Sequence, residues 1–308
     1  MSYEQLMQHA EEIRLKAIAK ALDRFGDQHD PRTGTIRAQK RPALERAFAD
    51  IPAIFQPWAD MPAPASFDPM IDEMNDALRV ISPGQDPKDP VSGVGYTASP
   101  VLTKINGAVS YVEDWTGQAA MEFKAGFLDP FPAIVRNQFI VAAVLKGALD
   151  AYKGLWVNAR SDIDQIAHKV IVALDGVNDR CDKNEWSITF TVVAAVASIA
   201  AVPLSGGALY AVTAVGAGSS MAAGAPPKDA PTNEFSGESP EAVISSMGHG
   251  ISKLAQEIGN AERTIANALQ KTQGVLSADR KSFVSRRPAL AGATPRNIRS
   301  SKYMGYTD

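Results

Sequence analysis

Between Trp186 and Pro227 the chain carries no charged residue. Wherever such a stretch folds, protein or lipid has to cover most of it, because an uncharged, apolar surface of that size is poorly compatible with water. Pro203-Leu204-Ser205-Gly206-Gly207 divides it near the middle and reads as a turn, with Pro203, Gly206 and Gly207 permitting the reversal. The two arms, Trp186 to Val202 and Ala208 to Gly224, are expected as apolar helices, each slightly shorter than the ~20 residues that cross a bilayer as a straight helix. Small residues dominate both, which suits close helix contact in lipid or in a protein core. Three settings fit the pair: a hairpin buried in a soluble bundle, a conditional hairpin released on contact with lipid, and a permanently inserted one. Val193 and Val196 are the positions at which a new charge separates these settings.

The rest of the chain is read as helical. Leu6, Ile13, Ala17, Ala21 and Phe25 recur at helical spacing and predict a first amphipathic helix ending near Gly26, with a short second one over 43–55. Prolines break residues 56–98 into connector with one helix around 68–80, since each lacks an amide proton and disfavours a helical residue before it. Ser99-Pro100 opens a helix running to about Glu113. From Pro132 to Asn178 apolar residues advance by threes and fours, giving the longest predicted helix, in which Asp162, Asp164, Asp175 and Asp179 are read as the wet face. After a polar linker from Pro226 to Ser239, a heptad seam runs from Ile244 to Val275. Ile251, Leu254, Ile258 and Ile265 are expected to face the long helix near Leu155 to Val177 or a helix of another subunit. No alternating strands bounded by hairpin turns stand out, so a substantial sheet is not expected.

Trp115-Thr116-Gly117 lies between two helical segments and continues as Gln118-Ala119-Ala120-Met121-Glu122-Phe123. A tryptophan at a helix end can fold over the junction as an apolar anchor, and glycine supplies the backbone freedom of a tight turn. Ala119 and Ala120 permit close packing of the next helix, with Phe123 one turn beyond Ala119 on the same face. Trp115 is therefore expected at a helix-helix turn and substantially buried. The pattern Trp-x-Gly-x-Ala-Ala-x-x-Phe resembles the Trp-x-Gly family of type VII (ESX) secretion substrates and its larger PPE-like and Esp-like helical members, over about residues 99–178. That resemblance implies an exported helical protein without catalytic sites. It also implies that Trp115 and Gly117 form part of an export signal, and that the partner is a helical Trp-x-Gly-type protein or a second copy of the chain. The family's Tyr-x-x-x-Asp/Glu signal does not occur in this sequence.

The pattern of residues offers no recognisable enzymatic chemistry. The four histidines are dispersed, so no zinc motif forms; phosphate-loop, dinucleotide and Gly-x-Ser-x-Gly motifs are missing. Cys181 is the single cysteine and stands thirteen residues from His168, roughly 20 Å along a continuous helix. A net charge of -3 gives no global reason to expect nucleic acid. The first 25 residues mix acidic and basic side chains with apolar ones and do not read as a Sec-type signal, so any export is expected by a route accepting folded helical cargo.

The resulting expectation is an all-α protein, an elongated helical bundle in five consecutive segments. These are N-terminal helices and connector (1–98), the Trp-x-Gly hairpin region (99–185), the apolar helical hairpin (186–225), linker and heptad helix (226–285), and a basic tail (286–308). The expected function is type VII secretion-associated assembly, secreted or in the cell envelope, with no catalytic, cofactor or metal site and no small-molecule substrate. A membrane-active pore-former or toxin component using the apolar hairpin is the alternative.

Overall fold

The computed structural model describes residues 3–25, 29–30, 34–83, 88–177, 184–192, 199–203, 209–213, 232–284, 292, 294–297 and 300. The protein is mostly helical. In chain order it runs α1 (Leu6–Asp23), β1 (His29–Asp30), β2 (Gly34–Thr35), α2 (Ile36–Ala47), α3 (Ile51–Ala59), α4 (Asp68–Val80), α5 (Pro100–Tyr111), α6 (Gln118–Phe123) and α7 (Phe131–Gly176). It continues through β3 (Asn184–Thr189), β4 (Ile199–Pro203), β5 (Leu209–Thr213), β6 (Thr232–Gly237) and α8 (Pro240–Ala278). The strands form three antiparallel pairs, β1-β2, β3-β6 and β4-β5.

Two compact units share this chain. One comprises residues 1–66, 152–196 and 220–263, the other 67–151, 197–219 and 264–308. They cut across the five consecutive segments read from the sequence, because α7 and α8 each contribute residues to both.

The first unit is built on long-range packing of helical seams. Its core joins Leu6, Ile13 and Ala17 of α1 with Phe55 of α3, Leu155, Ile163, Ile166, Val170 and Leu174 of α7, and Met247, Ile251, Leu254 and Ile258 of α8. Most of the α8 seam is buried, namely Met247, Ile251, Leu254, Ile258, Ala261, Ile265, Ala268 and Thr272, while Ile244 and Val275 at its two ends are only partly so. Ile251, Leu254 and Ile258 share the core with Leu155 to Val177, as the three-and-four spacing requires. Ser239 starts α8, its Oγ accepting from Ala242 N at 3.0 Å, with Pro240 in the first turn where no amide proton is needed.

In the second unit Leu78, Tyr96, Phe139 and Ala143 make one apolar cluster, and Ile140, Val144 and Phe283 another. Asn137 Nδ2 and Gln138 Nε2 donate to the carbonyls of Ser282 and Phe283, at 3.0 and 2.7 Å, and pin the turn after α8. A π-helical turn (Lys124–Leu128) separates α6 from α7, and Pro132 sits in the first turn of α7, so Pro130 and Pro132 interrupt the helical run without ending it.

The apolar hairpin expected as two helices is corrected wherever it is described. Trp186 to Thr189 lies in β3, and β4 and β5 pair antiparallel with Ile199 opposite Thr213 and Pro203 opposite Leu209. The β-branched residues Ile188, Thr189, Ile199, Val202, Val212 and Thr213 suit a pleated chain. The abundance of alanine in the run obscured them. Pro203 stands at the end of β4, where a missing amide proton is tolerated. Val193, Val196, Gly206 and Gly207 lie outside the described residues, as do Cys181, Asp179 and most of the basic tail. The single helix expected over 43–55 is two, α2 and α3, the second with Pro52 in its first turn and Pro57 within it.

Candidate functional site

β3 opens the apolar run and β6 follows it, so the pair brackets the run. Asn184 pairs with Gly237 and the register continues to Thr189 opposite Thr232, where the two hydroxyls lie 2.8 Å apart. Alternate side chains of β3 and its continuation, Trp186, Ile188, Phe190 and Val192, enter the core of the first unit. The outgoing strand is thus seated by period-two burial. Gly237 closes the other end against the start of α8. A Cβ there would stand 2.6 Å from Val243 Cγ2 and 2.7 Å from Val243 N, leaving no room for a side chain backed by main chain.

Past Thr189 the ladder stops and side chains of α7 take over. Asp162 Oδ1 accepts from Thr191 N at 3.0 Å and from Thr191 Oγ1 at 2.8 Å, and its Oδ2 accepts from Val192 N at 2.9 Å. Asn158 Nδ2 donates to Thr191 O at 2.9 Å, and Lys169 Nζ donates to Ser187 O. Burial pushes the Asp162 carboxyl above its ordinary range, opposed by the donors from Thr191 and Val192. Asp162 was expected on the wet face of the long helix and is instead fully buried. The signal was in the spacing: it follows Ala159 by three and precedes Ile166 by four, which puts it on the apolar seam.

The Trp-x-Gly segment does lie at a helix-helix turn, between α5 and α6, and Gly117 has φ 100, a conformation natural to glycine. The expected burial of Trp115 fails, however: it is 56% exposed. Its ring lies beside that of Phe123, with centroids 6.4 Å apart, and Phe123, Phe127 and Phe131 continue as a ladder at 5.4 and 5.6 Å. The ring lies along the turns that follow it in sequence, and these leave more than half of it uncovered. Ala119 and Ala120 both lie on α6.

A second polar cluster lies in the second unit. The Lys146 ammonium sits 2.9 Å from Asp150 Oδ2 and 4.0 Å from Asp89 Oδ2, and its side chain is almost wholly covered. Burial pulls its pKa down, but the bond it donates to Asp150 and the charges of Asp150 and Asp89 outweigh this and raise it. Asn75, Arg79, Tyr96 and Ser99 line an adjoining pocket with Lys146. With its charge answered by two carboxylates, Lys146 gives this pocket no marked preference for an anion.

Among the described residues one helical stretch, Ala120–Gly176, is long and apolar enough to cross a membrane by length and composition, and its most apolar window is 50% buried. No group of three or more His, Cys, Asp or Glu among the described residues comes together in a way that could hold a metal. No protein-family model, no curated protein and no solved structure matches the chain.

Proposed function

We propose that this is a non-enzymatic helical protein that acts on lipid bilayers, with the uncharged run 186–227 as its membrane-active arm. The observation that carries this reading is the β4-β5 pair. The register pairs Ile199 with Thr213, Ala200 with Val212, Ala201 with Ala211, Val202 with Tyr210 and Pro203 with Leu209, and neither strand carries a charged residue. An antiparallel pair exposed to water ordinarily alternates apolar with polar or charged residues, and this pair has apolar residues at nearly every position. A tilted strand crosses a bilayer in about 9–11 residues where a helix needs ~20; β4 and β5 are five residues each, so crossing would also call on uncharged residues on either side of them. An open two-stranded ladder cannot sit alone in hydrocarbon, because its outer amides and carbonyls would go unpaired. Entry into lipid therefore calls for further strands, and a second copy of the same chain is the simplest source.

Vesicle flotation and leakage of a trapped dye test the reading, with circular dichroism on the same samples. Wild type is expected to float with vesicles and release dye, and Val202→Lys and Val212→Lys are expected to abolish both while the helical signal survives. Wild type that neither floats nor leaks over a range of anionic-lipid content, with Asp162→Ala behaving the same, sinks the proposal.

The type VII secretion-associated reading is kept as a proposal for how the protein leaves the cell, supported by the α5-α6 turn and the left-handed Gly117. A helical Trp-x-Gly-type protein or a second copy would be the partner in export. Trp115→Ala and Gly117→Val should lower export in the native host without lowering intracellular amount; unchanged export of both removes this reading.

A further inference from the structure

Residues 187–192 are held in a way that sets them apart from the rest of the strands. The β3-β6 ladder satisfies the main chain only as far as Thr189. Beyond it, every hydrogen-bonding group of Thr191 is met by a side chain of α7: its N–H and hydroxyl by Asp162, its carbonyl by Asn158. Val192 N also donates to Asp162, and Lys169 holds the carbonyl of Ser187. Asn158, Asp162 and Lys169 follow one another by four and seven, hence on one face of α7.

The apolar and polar contacts at this place have different consequences for leaving it. Phe190 and Val192 are buried in the core, but an acyl phase would bury them equally well, so they favour the docked state over water and hardly over lipid. The bonds to Asp162 and Asn158 exist only in the docked state. A carboxylate placed in an apolar core also adds little net stability compared with a well-packed apolar residue, so its effect is to choose between arrangements.

We propose that Asn158, Asp162 and Lys169 form a strap on α7 that restrains the apolar arm at its root and keeps it from lipid until the strap opens. The inference rests on the membrane-active reading given above. Asp162 is the centre of the strap, and it acts by positioning Thr191 and Val192.

The test uses the full chain, unilamellar vesicles of phosphatidylcholine and phosphatidylglycerol, and hydrogen exchange of the Thr191 and Val192 amides measured without vesicles. In Asp162→Ala those two amides should exchange at least roughly tenfold faster, corresponding to about 1.4 kcal/mol, while amides of Leu155 to Val177 stay protected. The vesicle-bound fraction should rise severalfold over wild type. Asn158→Ala and Thr191→Val each remove part of the same set and carry the comparison should Asp162→Ala lose its helical signal. Wild-type protection at Thr191 and Val192 in all of these variants overturns the strap. Wild type that binds vesicles as well as the variants, with both amides still protected, overturns it and leaves the membrane-active reading intact. Absence of vesicle binding by every protein, with protection lost in the variants, removes the membrane-active reading and with it the restraining role.

Discussion

Asp162 in the first unit and Asp89 in the second have the same donor set and opposite reach. Each is almost wholly buried, and each accepts from two backbone amides and one hydroxyl. For Asp162 these are Thr191 N, Val192 N and Thr191 Oγ1, separated from it by 29 or 30 residues. For Asp89 they are Val91 N, Ser92 N and Ser92 Oγ, two or three residues on, in a turn closed by Gly93 at φ 73. Asp89 also has the Lys146 ammonium 4.0 Å away, whereas only burial and the three donors govern the carboxyl of Asp162. One carboxylate shapes a local turn beside a counter-charge. The other ties two distant stretches of chain together without one.

The largest difference should appear on removing the carboxylate from the first unit. Asp162→Ala leaves three donors without their acceptor, each worth about 1–3 kcal/mol if it stays dry; with partial rehydration a net loss of about 3 kcal/mol is expected. Chemical denaturation of the full chain, followed by circular dichroism, measures it. A loss below roughly 1 kcal/mol would mean that the donors find water readily and that the site is not dry.

Removing the counter-charge from the second unit should cost less. Lys146→Met strips Asp89 and Asp150 of a partner, which for a fully buried pair costs about 3–5 kcal/mol. Here Asp89 keeps its three turn donors and Asp150 is partly open to water, so about 2 kcal/mol is expected. The pH dependences also separate the two sites. Both groups have raised pKa values, so each contributes stability that is present below its unfolded value and lost as pH rises through its folded value. For Asp162 that loss starts near the unperturbed value of about 3.9, and for Lys146 only near about 10.4. Acidifying from neutral should therefore strengthen the Asp162 contribution, and Asp162→Asn should abolish that slope. A wild-type slope of the opposite sign, removed by the same variant, would show that the donors outweigh burial.

The two sites also differ in what could be read beforehand. Helical seams were legible because burial repeats along one element: Met247 to Thr272 on α8 and Leu155 to Val177 on α7 needed only a period. The place of Asp162 on the α7 seam was legible too, yet a charge invites assignment to the wet face, and its partners lie 29 and 30 residues on. Spacing holds no information about such a partner. The strands were hidden for a related reason: β3 pairs with β6 across an intervening stretch of about forty residues, and neither strand is bounded by a tight turn to the other. At Trp115 the turn was legible from glycine chemistry, whereas burial depends on what packs over the turn, which no motif encodes.

The smallest effects come from matched deletions of one hydroxyl donor in each set. Thr191→Val removes Oγ1 from Asp162, and Ser92→Ala removes Oγ from Asp89; each bond contributes about 1 kcal/mol by the usual net value. Both variants leave two backbone amides on the carboxylate and keep the local chain direction, so the global costs should be similar. The location of the damage should not be. Losing the Ser92 hydroxyl loosens a turn whose ends are already neighbours in sequence, so exchange should quicken only around Val91 to Val94. Losing the Thr191 hydroxyl weakens a contact that joins α7 to the root of the apolar run, so Thr191, Val192 and the adjacent end of β3 should all exchange faster. Equal and purely local effects at both sites would show that the β3-β6 ladder and the burial of Phe190 and Val192 hold that root by themselves, leaving Asp162 as an ordinary satisfied carboxylate.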